Sequence, residues 1–121
     1  MKKIFLVDDS ATLLMSMENV LKRAGYGVEK AKNGKEALEK LKGGLKPNLI
    51  ITDLNMPLMD GITLIKEVRK LPGYRFIPIL MLTTESEQKK RMEAKKAGAT
   101  GWLVKPVKPN DLLAVIKKVI P

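Results

Sequence analysis

The stretch Leu49-Ile50-Ile51-Thr52-Asp53-Leu54-Asn55-Met56-Pro57 decides the fold. An apolar, β-branched run leads straight into a carboxylate, and a Met-Pro turn follows at once. A strand buried on both faces does not carry an acid at its end unless that acid protrudes into a site. Asp53 on its own reads equally well as the cap of the next loop or helix. The rest of the chain decides between the two.

Working outward, similar strand-like runs recur at regular spacing. Ile4 to Val7 is a short apolar strand ended by Asp8-Asp9-Ser10. Gly27 to Lys30 is a weaker one, with only Val28 strongly apolar, which suits a sheet edge. Ile77 to Leu82 is a fully apolar fourth strand ended by Thr83-Thr84, and Gly101 to Val104 is a fifth, ended by Lys105-Pro106. Between them lie helical patterns. Ser10 is a good N-cap before Leu13, Met17, Val20, Leu21 and Ala24, with Gly25 as the stop. Asn33 caps a helix with Ala37, Leu38 and Leu41 on its inner face. Asp60 caps one that turns Leu64, Ile65 and Val68 inward. A strongly charged helix is predicted from Ser86 to Ala97, stopped by Gly98. The last begins at Pro109, a favoured first-turn residue, and carries Leu112, Leu113, Ile116, Val119 and Ile120. Lys108 is a poor cap for it, and Asp111 in the first turn compensates.

Five strand–helix units with continuous apolar strands predict an α/β fold, a doubly wound parallel sheet covered on both faces. Right-handed crossovers leave few topologies. With the second and fifth strands at the edges, the order is 2-1-3-4-5, flavodoxin-like. The 121 residues suit a single domain, 1–121.

Composition narrows the function. With 45% hydrophobic and 30% charged residues the chain is globular. It has no cysteine and no histidine, so disulfides, thiolate metal sites, typical zinc sites and a His-based triad are excluded. The apolar run after Lys2-Lys3 is cut short by Asp8-Asp9, so no secretory leader is expected, and no run approaches a membrane span. The expected location is cytoplasmic. Lys plus Arg is 23 against 13 acidic residues, a net charge of +10. The basic residues are scattered at helical spacing beside Glu, and single-strand-type aromatic interleaving is missing, so nucleic acid is not the expected partner. Lys/Glu richness without Cys also fits a thermophilic or engineered chain.

In an open parallel sheet all strand carboxyl ends share one rim, and ligands bind where the strand order reverses. That point lies between Asp8-Asp9 and Asp53, with Thr83-Thr84 and Lys105 beside it. Three carboxylates about 5 Å apart repel by roughly 3 kcal/mol per pair at an effective dielectric near 20. Lys105 supplies one opposing charge. An all-oxygen donor set too small for a Ca²⁺ cage favours Mg²⁺, or Mn²⁺, for the rest.

These residues carry a resemblance. Asp8-Asp9, the run Asp53-x-x-Met56-Pro57-x-Met59-Asp60-Gly61, Thr83 and Lys105-Pro106 together resemble a response-regulator receiver domain over essentially the whole chain. Thr83-Thr84-Glu85-Ser86 and Gly98-Ala99-Thr100-Gly101-Trp102 are similar to its single-domain chemotaxis branch. The strand order is also that of such receivers, so order and resemblance are one support rather than two. The resemblance implies that Asp53 accepts a phosphoryl group from the phosphohistidine of a sensor histidine kinase. Asp8 and Asp9 would hold Mg²⁺, Asp9 more directly, with Asp53 and the main-chain carbonyl of Asn55. Lys105 would pair with a phosphoryl oxygen, and its bond to Pro106 is often cis in the family. Thr83 would bond the attached group, and the aromatic at 102 would then turn inward.

Such a protein is no enzyme toward a separate substrate: it catalyses only its own phosphorylation and dephosphorylation. It is expected as a monomer that binds a downstream protein through its fourth helix, fifth strand and fifth helix. A flagellar motor switch protein is one such target, reached through Lys89, Lys90, Lys95 and Lys96. No segment for a DNA-binding domain follows, so output is expected by direct binding or onward phosphotransfer. A phosphorelay intermediate, or a reconstructed or designed receiver without native partners, is the alternative. Trp102 stands where Tyr or Phe is usual, and +10 is unusual for the family. Asn55 and Glu85 fall at positions that tune dephosphorylation. A dehalogenase-type phosphatase needs an acid at position 55. A flavodoxin-like FMN site needs a neutral phosphate loop where Asp8-Asp9 stand, and no Gly-rich phosphate loop is present.

Overall fold

The computed structural model describes the backbone of residues 1–121 and all side chains except those of Glu85 and Gln88. The tuning role expected of the Glu85 side chain therefore lies outside the described residues. Along the chain run β1 (Lys3–Val7), α1 (Ala11–Arg23), β2 (Gly27–Ala31), α2 (Gly34–Lys42), β3 (Leu49–Asp53) and α3 (Gly61–Lys70). After these come β4 (Ile79–Thr83), a 3-10 turn (Glu85–Glu87), α4 (Gln88–Ala97), β5 (Gly101–Val104) and α5 (Pro109–Val119). The strands form one sheet in the order β2-β1-β3-β4-β5. Every pairing is parallel.

Strand alternation sorts the apolar residues onto two faces. Ile4 and Leu6 of β1, with Ile51 of β3, pack against Leu14, Met17 and Leu21 of α1 and Leu112 and Ile116 of α5. Phe5, Val7 and Ile50 point the other way, onto Leu38 and Leu41 of α2, Ile65 and Val68 of α3 and Ala94 of α4. Both faces are thus covered, which is why the central strands show no polar alternation. The caps are as the sequence indicates. Ser10 Oγ accepts the Leu13 N–H at 3.2 Å, Asn33 Oδ1 that of Glu36 at 2.8 Å, and Asp60 Oδ1 that of Thr63 at 2.7 Å.

Two element starts lie two residues later than expected, and one buried stripe is shifted in phase. The fourth strand starts at Ile79 rather than Ile77, because Pro78 has no N–H to donate and the Ile77 carbonyl is taken by Arg69 Nη1 at 2.7 Å. The charged helix starts at Gln88 rather than Ser86, whose hydroxyl pairs with that of Thr84 at 2.9 Å within the preceding turn. In α1 the buried stripe is Leu14, Met17 and Leu21. Leu13 and Val20 lie at its margin, and Ala24 is exposed at the C-cap.

One close approach fixes the start of α3 beneath the end of β3. The Gly61 N–H donates to the Leu54 carbonyl at 2.8 Å. A Cβ on Gly61 would lie 2.3 Å from the Asp53 carbonyl oxygen, so only glycine fits. Gly61→Ala is expected to cost about 3 kcal/mol, since backbone rather than a flexible side chain must move. A urea-unfolding midpoint equal to that of the parent would show that α3 does not pack this closely.

Candidate functional site

Register brings the site together. The pairing of β1 with β3 ends at Val7 opposite Thr52, so Asp8 and Asp53 follow side by side. The pairing of β4 with β5 ends at Thr83 opposite Val104, and Lys105 is the next residue, its N–H bonded to the Thr83 carbonyl at 2.7 Å. Carboxylate oxygens of Asp8, Asp9 and Asp53 lie within 4.8 Å of one another. Asp8 and Asp53 are buried, whereas Asp9 is exposed.

Each charge has a defined set of partners. Lys105 Nζ lies 2.9 Å from Asp53 Oδ1 and 3.3 Å from Asp8 Oδ2. Asp8 Oδ1 also accepts the Ser10 N–H at 2.8 Å, and Asp53 Oδ1 that of Leu54 at 2.9 Å. Both bonds to the Asp53 carboxylate thus fall on Oδ1, and none is made to Oδ2 among the described residues. Burial pushes the Asp53 carboxyl up. The bond from Lys105 draws it back, the charge of Asp8 adds to the rise, and the balance stays above the ordinary carboxylate range. For Lys105, burial works against the ammonium, but the bonds and charges of Asp53 and Asp8 outweigh it and hold it above its ordinary value. Lys105 is therefore charged at neutral pH and sits on a carboxylate with an oxygen to spare.

The hydroxyl of Thr83 is buried and has no hydrogen-bond partner among the described residues. A buried hydroxyl without a protein partner is costly unless a water or a ligand meets it. The Lys105–Pro106 bond is cis. Trp102 is 38% exposed on β5, with the Arg91 guanidinium of α4 5.3 Å from its ring centroid, a cation–π contact. Asn55 is exposed, and its side-chain amide donates to the Glu87 carboxylate. Glu87 also accepts the Thr84 N–H at 2.7 Å. Burial raises the Glu87 carboxyl, but the Thr84 and Asn55 bonds and the charge of Lys105 bring it below the ordinary range.

The structure thus gathers Asp8, Asp9, Asp53 and Lys105 on one rim and ends β4 with Thr83 beside them, while Trp102 lies apart, under α4. The sequence reading missed Glu87. Its signal was present in Thr84-x-x-Glu87, the spacing of a capping box, but nothing local linked it to Asn55.

Set beside known proteins, the chain belongs to the response regulator receiver domain family, which matches residues 4–117. Chemotaxis regulators are among its relatives in that family. It is 40% identical over 119 residues to chemotaxis protein CheY1 of Helicobacter pylori, covering 98% of this chain and 96% of that one. It is 38% identical over 120 residues to chemotaxis protein CheY of Thermotoga maritima, covering 98% and 97%. The structure of Vibrio cholerae chemotaxis protein CheY4 superposes with a TM-score of 0.94 at 46% identity, covering 99% of each chain. The receiver domain of a Pseudomonas aeruginosa sensor histidine kinase, solved with a magnesium ion coordinated in its active site cleft, gives a TM-score of 0.90 at 28% identity, covering 98% and 97%.

The raised Asp53 carboxyl has a consequence for stability. Below the carboxylate range both folded and unfolded chains carry the proton. As pH rises through the interval up to the folded value, the unfolded chain releases a proton that the native one retains, so stability falls and stays lower above it. Asp53→Asn removes this loss. In metal-free buffer it is expected to melt higher than the parent at pH 7, with the gain gone near about pH 3. Parallel melting curves across that range would show that Asp53 is not held against its charge.

Proposed function

We propose that the protein is a phosphoacceptor switch, in which Asp53 takes a phosphoryl group from the phosphohistidine of a sensor histidine kinase. The observation that carries this reading is the carboxylate cluster of Asp8, Asp9 and Asp53, with Lys105 bonded to one Asp53 oxygen and the other oxygen unbonded among the described residues. In the transfer, the ionised Asp53 carboxylate attacks phosphorus through Oδ2. The P–N bond breaks as the O–P bond forms, and the electron pair returns to the imidazole. Lys105 lies where it can neutralise a phosphoryl oxygen in the transition state.

The donor set of three carboxylate oxygens suits a hard divalent cation. Asp8, Asp9 and Asp53, with the main-chain carbonyl of Asn55, would hold Mg²⁺ (Mn²⁺ suits the same donors), and Asp9 is the exposed one. The magnesium in the Pseudomonas aeruginosa relative supports this assignment. When bound, such an ion neutralises the transferring group and aligns it for in-line attack.

Attached to Asp53, the phosphoryl group gives Thr83 the partner its hydroxyl lacks. Movement of the loop after β4 then passes into α4, whose Arg91 lies on Trp102. The output face is that of α4, β5 and α5. Lys89, Lys90, Lys95 and Lys96 are exposed there and suit an acidic segment of a downstream protein, of which a flagellar motor switch protein is the candidate. The chain acts on itself as a cytoplasmic monomer and turns over no separate substrate. Among the described residues no helix is long and apolar enough to cross a membrane.

Intact mass after incubation with an acyl-phosphate donor is expected to rise by one phosphoryl group with Mg²⁺ present, and not at all in Asp53→Asn. Lys105→Ala is expected to slow uptake by about a hundredfold. Uptake at parental rates in Asp53→Asn would end the reading. A further expectation concerns the switch. Thr83→Ala should take up the group yet leave Trp102 emission unchanged, and an emission change equal to the parent's would detach Thr83 from the switch. For the output face, an acidic flagellar-switch peptide is expected to bind the phosphorylated form more tightly. Equal affinity for both forms would remove the motor target.

A further inference from the structure

The side chain of Glu87 joins two loops that the phosphoacceptor reading needs to shift relative to one another. One of its carboxylate oxygens accepts the Thr84 N–H at 2.7 Å, in the loop that follows Thr83. The other accepts the Asn55 amide, in the loop that follows Asp53. The first contact alone is half of a capping box and serves the local turn. The second is not local, since Asn55 and Glu87 stand 32 positions apart in sequence. The neighbour of Thr84 is Thr83, whose buried hydroxyl has no partner among the described residues, so the carboxylate holds in place the very loop that must shift for that hydroxyl to gain one. The same carboxylate feels the charge of Lys105, which places it within electrostatic reach of the acceptor.

We propose that Glu87 is a positioning residue. It acts as a latch that ties the loop after β4 to the loop after β3 while Asp53 is unmodified, and lets go when a phosphoryl group brings like charge beside it. This rests on the phosphoacceptor reading for its trigger but not for the tie itself. Two consequences separate it from a helix cap. Cutting the tie from the other side, with Asn55→Ala, loosens the loop although the capping contact is intact. Removing the charge, with Glu87→Gln, leaves one amide oxygen to accept the Thr84 N–H and an amide NH2 that donates to Asn55 Oδ1 once that amide turns over, a latch that phosphorylation does not repel. Arg91 on Trp102 makes the emission of that indole a reporter of α4.

The test begins with the unphosphorylated protein. Amide exchange at Thr84 is expected to quicken on the order of tenfold in both Asn55→Ala and Glu87→Ala, and no further in the double variant. Trp102 emission should shift with it. Exchange at the parental rate in Asn55→Ala, with faster exchange only in Glu87→Ala, would reduce Glu87 to a cap and overturn the proposal. The second step uses an acyl-phosphate donor with Mg²⁺. Glu87→Gln should take up the group but give a smaller Trp102 response per phosphoryl group than the parent, and a full parental response would overturn release by charge. If the parent itself takes up no phosphoryl group, the phosphoacceptor reading and the trigger fall together, and the exchange result still decides whether the tie exists.

Discussion

Like charge crowded at the end of a parallel sheet is the constraint on which the rest of this structure depends. Asp8, Asp9 and Asp53 are brought within 4.8 Å by strand register, and two of the three are buried. Burial and repulsion both oppose ionisation there, and the Asp53 carboxyl is raised as a result. Among the described residues a single ammonium, that of Lys105, is paired into the cluster, and it reaches Asp53 and Asp8. That imbalance is a liability for stability and an asset for chemistry. It leaves the rim suited to a divalent cation and leaves a carboxylate oxygen for a phosphoryl group.

The scaffold exists to hold that arrangement still. Covering the sheet on both faces makes the central strands continuous apolar runs, and their buried ladders fix where each strand ends. Gly61 lets α3 start against the Asp53 carbonyl, Ser10 joins the cap of α1 to Asp8, and the Lys105 N–H closes onto Thr83. By contrast, the segment after β4 is weakly held. Residues Glu85–Glu87 form a short 3-10 turn, and among the described residues α4 has no side-chain cap bond and a single completely buried apolar side chain, Ala94. A stiff rim beside a lightly packed helix is a division of labour suited to a switch.

Much of this was legible before any coordinates. Continuous apolar runs and Ser, Asn, Asp and Gly punctuation give the element order, and the residues ending each strand give the rim. The misses have physical causes. Ile77 reads as strand because it is apolar, but its carbonyl is bound by Arg69, a partner distant in the fold that no local pattern reveals. Leu14 was passed over in favour of Leu13 because helical periodicity alone does not fix the phase of a stripe. Leu58 adopts a left-handed backbone, φ 70°, while 79% exposed, a conformation that a leucine does not announce. The Asn55–Glu87 contact depends on how two loops meet, and sequence spacing carries no record of that.

The central claim is that Asp53, among three neighbouring carboxylates, is the one that becomes an acyl phosphate. Sodium borohydride reduces an aspartyl phosphate to homoserine, and peptide mass mapping then reads the position. After treatment with an acyl-phosphate donor and Mg²⁺, homoserine at position 53 and at no other acidic residue is the expected result. An intact Asp53, or trapping at Asp8 or Asp9 instead, would contradict it.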